Sequence, residues 1–150
     1  MIIRLLSFSS FIVILDRLTK YLALTRLSEG ESISVVPGVF HITLVLNTGV
    51  AFGLFKGCSI IFIVSSVLII AAICMYLWRS KCRDFWMLLA MGLIIGGAVG
   101  NLIDRASFGY VIDFLDFRIW PVFNVADSSV TVGAVILAIK LLRDKRCCMT

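Results

Sequence analysis

Charge is scarce in this chain: 15% of its 150 residues carry it, against roughly a quarter in an ordinary soluble domain. That scarcity excludes a fold with a fully solvated surface. Together with 61% hydrophobic residues, set in blocks rather than in alternating or amphipathic patterns, it points to a membrane. Histidine is scarcer still. His41 is alone, so Ser128 and Ser129 have no histidine base to activate them. No cysteine pair has zinc spacing, and neither a metal nor any other cofactor is expected. The five cysteines give no disulfide framework: Cys58 and Cys74 lie toward opposite ends of one apolar block, and Cys82, Cys147 and Cys148 fall in segments expected on the reducing side. Basic residues cluster briefly at block ends with no aromatic interleaving, which argues against a nucleic-acid partner.

What is present is four apolar blocks, each close to the roughly 20 residues that cross a hydrocarbon core. They run from Leu5 to Leu24, Cys58 to Trp78, Phe85 to Ile103 and Ile119 to Leu142. The expected fold class is an all-α integral membrane protein with one domain over residues 1–150. It has four transmembrane helices (5–24, 58–78, 85–103, 119–142) and a small β-sheet element at the outer surface within 28–56. The first block begins like a secretory signal peptide, but Asp16, Arg17 and Lys20 occupy the place where small residues mark a cleavage site, so a retained helix is expected. Arg4, Arg79, Lys81, Arg83, Arg143, Lys145 and Arg146, opposed only by Asp84 and Asp144, put both termini on the cytoplasmic side. The net charge of +5 is thus a topology signal.

Between the first two blocks, the breaker Pro37-Gly38 separates Ser32 to Val36 from the β-branched and aromatic run Val39 to Val45, which predicts a hairpin at the interface. His41 is read there as a surface or interfacial side chain. Gly92, Gly96 and Gly100, four apart, form a stripe along which another helix can come close.

Four polar clusters interrupt this apolar background, all toward the outer half. Asp16 and Lys20 share one helix face as an ion pair that neutralises itself. Asn47-Thr48-Gly49-Val50-Ala51-Phe52-Gly53 suits either a tight turn or a backbone approaching a ligand. Gly100-Asn101-Leu102-Ile103-Asp104-Arg105 lies at the outer end of the third helix, where Asn101 and Arg105 share a face and charges serve equally well as interfacial anchors. The fourth comprises Asp113, in an outer loop with Gly109 as a hinge, and Asp127, three residues after Asn124. A carboxylate at bilayer depth costs on the order of 3 kcal/mol, so such acids usually face a polar interior and are used. Either Asn124 or Asp127 could instead cap the fourth helix after Pro121. Two close carboxylates share a proton, and one can then activate water while the other polarises a carbonyl.

The motifs Asp16-x-x-x-Lys20, Asn47-x-Gly49-x-Ala51-Phe52-Gly53, Gly100-Asn101-x-x-Asp104-Arg105, Val111-x-Asp113-Phe114 and Phe123-Asn124-x-Ala126-Asp127 together resemble those of lipoprotein signal peptidase, the bacterial signal peptidase II, in family order over nearly the whole chain. The resemblance implies a multi-pass aspartyl endopeptidase of the bacterial inner membrane, with its active site toward the outer side. It would cut diacylglyceryl-modified prolipoproteins just before the lipidated cysteine, amid membrane lipid, and would be inhibited by globomycin. By motif match Asp113 and Asp127 become the catalytic dyad; Asn47, Gly49, Asn101, Arg105, Asn124 and Ala126 line the site, and Asp16 and Lys20 support it. Arg17 departs from the Gln common in the family. The competing readings are a proton-coupled transporter or channel subunit, and a structural adaptor held by the glycine stripe.

Overall fold

The computed structural model describes residues 2–49, 59–79 and 84–143. Elements follow the order α1 (Ile2–Arg26), β1 (Ser32–Val36), β2 (Phe40–Asn47), α2 (Ser59–Arg79), α3 (Phe85–Phe108), β3 (Val111–Asp116) and α4 (Val125–Arg143). Cys58, Cys82, Cys147, Cys148 and residues 50–53 of the second polar cluster lie outside the described residues.

Three of the helices, α2, α3 and α4, are long and apolar enough to cross a membrane. Helix α1 is 25 residues long but carries Asp16, Arg17 and Lys20 in its middle. Helix α3 is central: α1 packs on one side of it and α4 on another. The glycines make this possible. A Cβ at Gly96 would sit 2.8 Å from both the Ile12 Cβ and the Ser9 carbonyl of α1, while one at Gly97 would sit 2.5 Å from Ser129 Oγ of α4. Bare backbone on α3 thus lets both neighbours approach closely, the packing on which helices in lipid depend. Helix α2 is peripheral. It presents Ile61, Val64, Leu68 and Trp78 outward and packs Ile73 and Leu77 on Met87, Met91 and Ile94 of α3.

Several boundaries differ from the sequence reading. Helix α3 continues to Phe108 because no breaker intervenes before Gly109, which ends it in the left-handed conformation (φ 80°) and donates its N–H to the Arg105 carbonyl at 3.0 Å. Asp104 and Arg105, beyond the expected end at Ile103, are therefore helical, with Arg105 in the last turn of α3, and Gly109 is a C-cap. Helix α4 starts at Val125 rather than Ile119, because Phe123 is engaged in a bridge with Leu115, and the chain between them bends, with Arg118 at φ 66°.

The hairpin of β1 and β2 is present, but the sheet has a third strand. Its order is β1-β2-β3, antiparallel throughout. Asp113 lies in β3, not in a loop: Val111, Ile112 and Phe114 around it are buried β-formers, and a lone β2 edge would otherwise be left open. Leu44, Ile112 and Phe114 pack on Ala23 and Leu27, which seats the sheet on the end of α1. A bulge in β2 between Ile42 and Val45 resets the register so that Val45 opposes Asp113 and Asn47 opposes Val111.

Candidate active site

The start of α4 holds the site together. Asn124 is its N-cap: Asn124 Oδ1 accepts from the Asp127 N–H at 2.9 Å, and Asp127 Oδ2 accepts from the Asn124 N–H at 3.3 Å. This reciprocal capping box uses both candidates that the sequence offered for the cap. The Asn124 amide then donates to Asp113 Oδ1 at 2.6 Å. One buried asparagine thereby joins the carboxylate of β3 to that of α4.

Two further asparagines are oriented in the same sense. Asn47 Oδ1 accepts from the Gly49 N–H at 2.9 Å, which turns its amide to donate to Asp113 Oδ2 at 2.8 Å. Asn101 Oδ1 accepts from Lys20 Nζ and from Asn124 Nδ2, both at 3.1 Å, and its amide donates to Asp127 Oδ1 at 2.7 Å. In each case the carbonyl is occupied by a donor, so the amide can only present N–H to the acid.

Below this layer lies a quartet of charges, three of them buried. Lys20 Nζ is 2.9 Å from Asp16 Oδ2 and 2.7 Å from Asp104 Oδ2; Arg17 reaches Asp104 Oδ1 at 2.6 Å and Asp16 Oδ2 at 3.0 Å, and donates to the Gly100 carbonyl at 3.1 Å. Asp16 and Asp104 are fully buried and Lys20 is 1% exposed. Unpaired, any of them would be costly there; paired and hydrogen-bonded, they are tolerated. Both acids also accept from the backbone: Asp16 Oδ1 from Ala126 N–H at 3.1 Å and Asp104 Oδ2 from Ile112 N–H at 3.2 Å. Ala126 precedes Asp127 and Ile112 precedes Asp113. The quartet thus grips the chain one residue before each acid of the pair.

Asp113 is 1% exposed, whereas Asp127 opens on a cleft of about 490 Å³ with Phe117, Trp120, Phe123 and Val132 in its walls. Burial pushes the Asp113 carboxyl up to about 7. The Asn47 hydrogen bond opposes this, the neighbouring Asp127 charge adds to it, and Asn124 and Lys20 offset it in part. Two carboxyl groups in this setting can hold one proton between them at neutral pH.

Arg105 stands beside the pair, where the charges of Asp127 and Asp113 act on it; its guanidinium lies 4.7 Å from the centre of the Phe62 ring, a cation–π contact. A Cβ at Gly49 (φ 86°) would sit 2.6 Å from that same ring, so glycine is required there twice over. Among the described residues Arg105 forms no ion pair.

Every site residue expected from the sequence converges on this region: Asp113, Asp127, Asn47, Gly49, Asn101, Asn124, Ala126, Asp16 and Lys20 in one hydrogen-bonded assembly, and Arg105 at its edge. Phe62 was missed, and Asp104 and Arg17 were singled out without being given a place in the site. Asp104, three residues after Asn101 and therefore on its face, was findable by spacing. Arg17 points away from the face shared by Asp16 and Lys20 on helical geometry, and nothing local announces that it bends back to Asp104. Phe62 sits in an unbroken apolar run without any distinguishing signal.

A family model described as signal peptidase II matches residues 8–143. Among related proteins, the lipoprotein signal peptidase of Halothermothrix orenii is 46% identical over 135 residues, which cover 90% of this chain and 92% of that protein. That of Syntrophomonas wolfei is 47% identical over 133 residues, covering 89% of each. A solved bacterial membrane enzyme, 35% identical, matches with a TM-score of 0.86 over 95% of this chain and 89% of its own.

Proposed function

The chain belongs to the signal peptidase II family, and we propose that it is an aspartyl endopeptidase, cutting diacylglyceryl-modified prolipoproteins just before the lipidated cysteine. Its family makes it a peptidase of the bacterial inner membrane that removes signal peptides from prolipoproteins. The observation that carries the finer reading is the convergence of Asp113 and Asp127 on Asn124 from two separate elements, with three oriented side-chain amides and the Asn124 backbone N–H fixing all four carboxylate oxygens.

In this reading Asp113 holds the proton at neutral pH, in keeping with its buried setting, and Asp127 is the base. Asp127 takes a proton from water as the water oxygen attacks the peptide carbonyl, and the Asp113 hydroxyl gives its proton to the carbonyl oxygen. The tetrahedral diol then collapses: Asp127 returns its proton to the departing nitrogen, and a diol hydroxyl proton returns to Asp113. Arg105 and Asn101 keep substrate backbone and Asp127 in register. The apolar cleft beside Asp127 supports a substrate that arrives with its acyl chains still in lipid. Globomycin, a cyclic peptide inhibitor of this family, is expected to compete there.

Four spans, with both termini cytoplasmic and the site near the outer surface, complete the proposal. Helix α1 supports it in a way composition conceals. Asp16, Lys20 and the reach of Arg17 are directed into the bundle, while Phe11, Ile14, Leu18 and Leu22 are exposed and offer lipid an apolar face. A transporter would need acids leading toward the opposite end of the bundle; there, among the described residues, Asp84 alone is found, paired with Lys140.

The test uses purified protein and a prolipoprotein with and without its diacylglyceryl group. The lipidated form alone is expected to be cut, and neither Asp113→Asn nor Asp127→Asn should cut it although both insert normally. Full activity in either variant would remove the dyad assignment.

A further inference from the structure

At the far end of the bundle from Asp113 and Asp127 lies a second cleft, which peptide cleavage leaves unused. It measures about 430 Å³ and is lined by Trp86 from the first turn of α3 and by Ile136, Ile139, Lys140 and Arg143 from the last turns of α4. Its walls are apolar and its mouth is cationic. Ile136, Ile139, Lys140 and Arg143 are three or four residues apart and so share one face of α4. Trp86, 57% exposed, closes the cleft from the side of α3.

Charge at the mouth does not cancel. Lys140 is paired with Asp84, the residue whose carboxylate caps α3 by accepting from the Met87 N–H at 2.8 Å. Arg143 forms no ion pair among the described residues, so two cations face one carboxylate and a single positive charge is left over. The adjoining sequence keeps that sign, with Arg79, Lys81 and Arg83 before Asp84, and Lys145 and Arg146 after Asp144.

We propose that this cleft binds one anionic glycerophospholipid, its phosphodiester on Arg143 and Lys140 and an acyl chain along Ile136, Ile139 and Trp86. An arginine fork suits a phosphodiester in two-point geometry. An apolar wall continuous with lipid-facing α4 suits the chain, and a tryptophan at the rim suits the headgroup level. Free phosphate would gain nothing from the isoleucine wall. A zwitterionic lipid brings its own cation to a mouth that already has one in excess. Basic pockets between helices at a membrane surface take anionic headgroups for the same reasons. The inference requires only that α3 and α4 cross a bilayer and is independent of the peptidase reading.

Native mass spectrometry of the purified protein, offered equal amounts of phosphatidylglycerol and phosphatidylcholine of matched chains, tests it. One phosphatidylglycerol should be retained in preference by roughly fivefold, the scale of one basic residue at a membrane surface. Arg143→Gln should erase that preference, Arg143→Lys should keep most of it, and excess glycerol phosphate should not displace the lipid. Equal retention of the two lipids, undiminished preference in Arg143→Gln, or displacement by glycerol phosphate would each overturn the proposal. Cleavage of prolipoprotein is not the readout, so a failed peptidase assignment would leave this result standing, and Arg143→Gln should cut prolipoprotein in detergent as the parent does.

Discussion

Asp113 and Asp127 occupy unlike surroundings, and the difference has a measurable sign. Burial raises the Asp113 carboxyl from its ordinary value, 3.8, to about 7, so the folded protein holds a proton there that the unfolded chain has already released. Stability from this group is fully present below pH 3.8 and is lost as pH rises through about 7. Thermal unfolding between pH 4 and 8 should therefore show a midpoint that falls in the parent and stays flatter in Asp113→Asn, whose carboxamide cannot ionise. A parallel fall in both would show that another group carries the slope. At this scale the sequence was informative, because an isolated acid or amide in an apolar chain is conspicuous. Direction was not. That Asn47, Asn101 and Asn124 all turn N–H toward the acids depends on what each carbonyl meets, namely Gly49, Lys20 and Asp127, and for Asn101 that donor comes from a different helix.

Among elements, α3 and β3 decide where the acids stand. The glycines of α3 differ in what they adjoin: a Cβ at Gly100 would sit 2.8 Å from Asp16 Oδ2, and one at Gly92 would sit 2.7 Å from the Phe8 Cβ, far from the site. Gly100→Ala and Gly92→Ala should each destabilise the bundle by about 1–3 kcal/mol, the usual cost of overpacking. Only Gly100→Ala is expected to reduce kcat strongly in the surviving folded fraction, since it displaces the carboxylate that holds Ala126. Equal kcat in the two variants would mean that the close approach of α1 to α3 is packing and nothing more. The four-residue spacing of these glycines is enough by itself to announce that approach. Strand β3 was less visible: six residues flanked by helices, with an aspartate in third position, resemble a loop until β2 supplies the hydrogen bonds that make the strand. Likewise α4 loses its expected first six residues to the loop that the bridge between Leu115 and Phe123 closes, a pairing that depends on Leu115 being held in β3.

For the molecule as a whole, the quartet of Asp16, Arg17, Lys20 and Asp104 ties α1 and α3 to the starts of β3 and α4. Asp104→Asn can still accept from the Ile112 N–H but leaves two cations on one buried carboxylate, a change of the kind that costs about 3–5 kcal/mol. Adding Arg17→Gln removes the surplus cation. The double variant should recover a large part of both the unfolding midpoint and the cleavage rate lost by Asp104→Asn; strict additivity would separate Arg17 from the quartet. The mostly helical character, three of the membrane-length helices, the peptidase family and the polar motifs were legible because each is written locally or in fixed order. The grip on Ala126 and Ile112 was not, since it joins residues as far apart as Asp16 and Ala126. The quartet is also electrically closed. Its two positive and two negative charges sum to zero, and three of the four members are shut away from solvent, where dissolved ions screen little. The hold on Ile112 and Ala126, and with it the placing of Asp113 and Asp127, is therefore expected to be insensitive to the ionic strength outside the membrane.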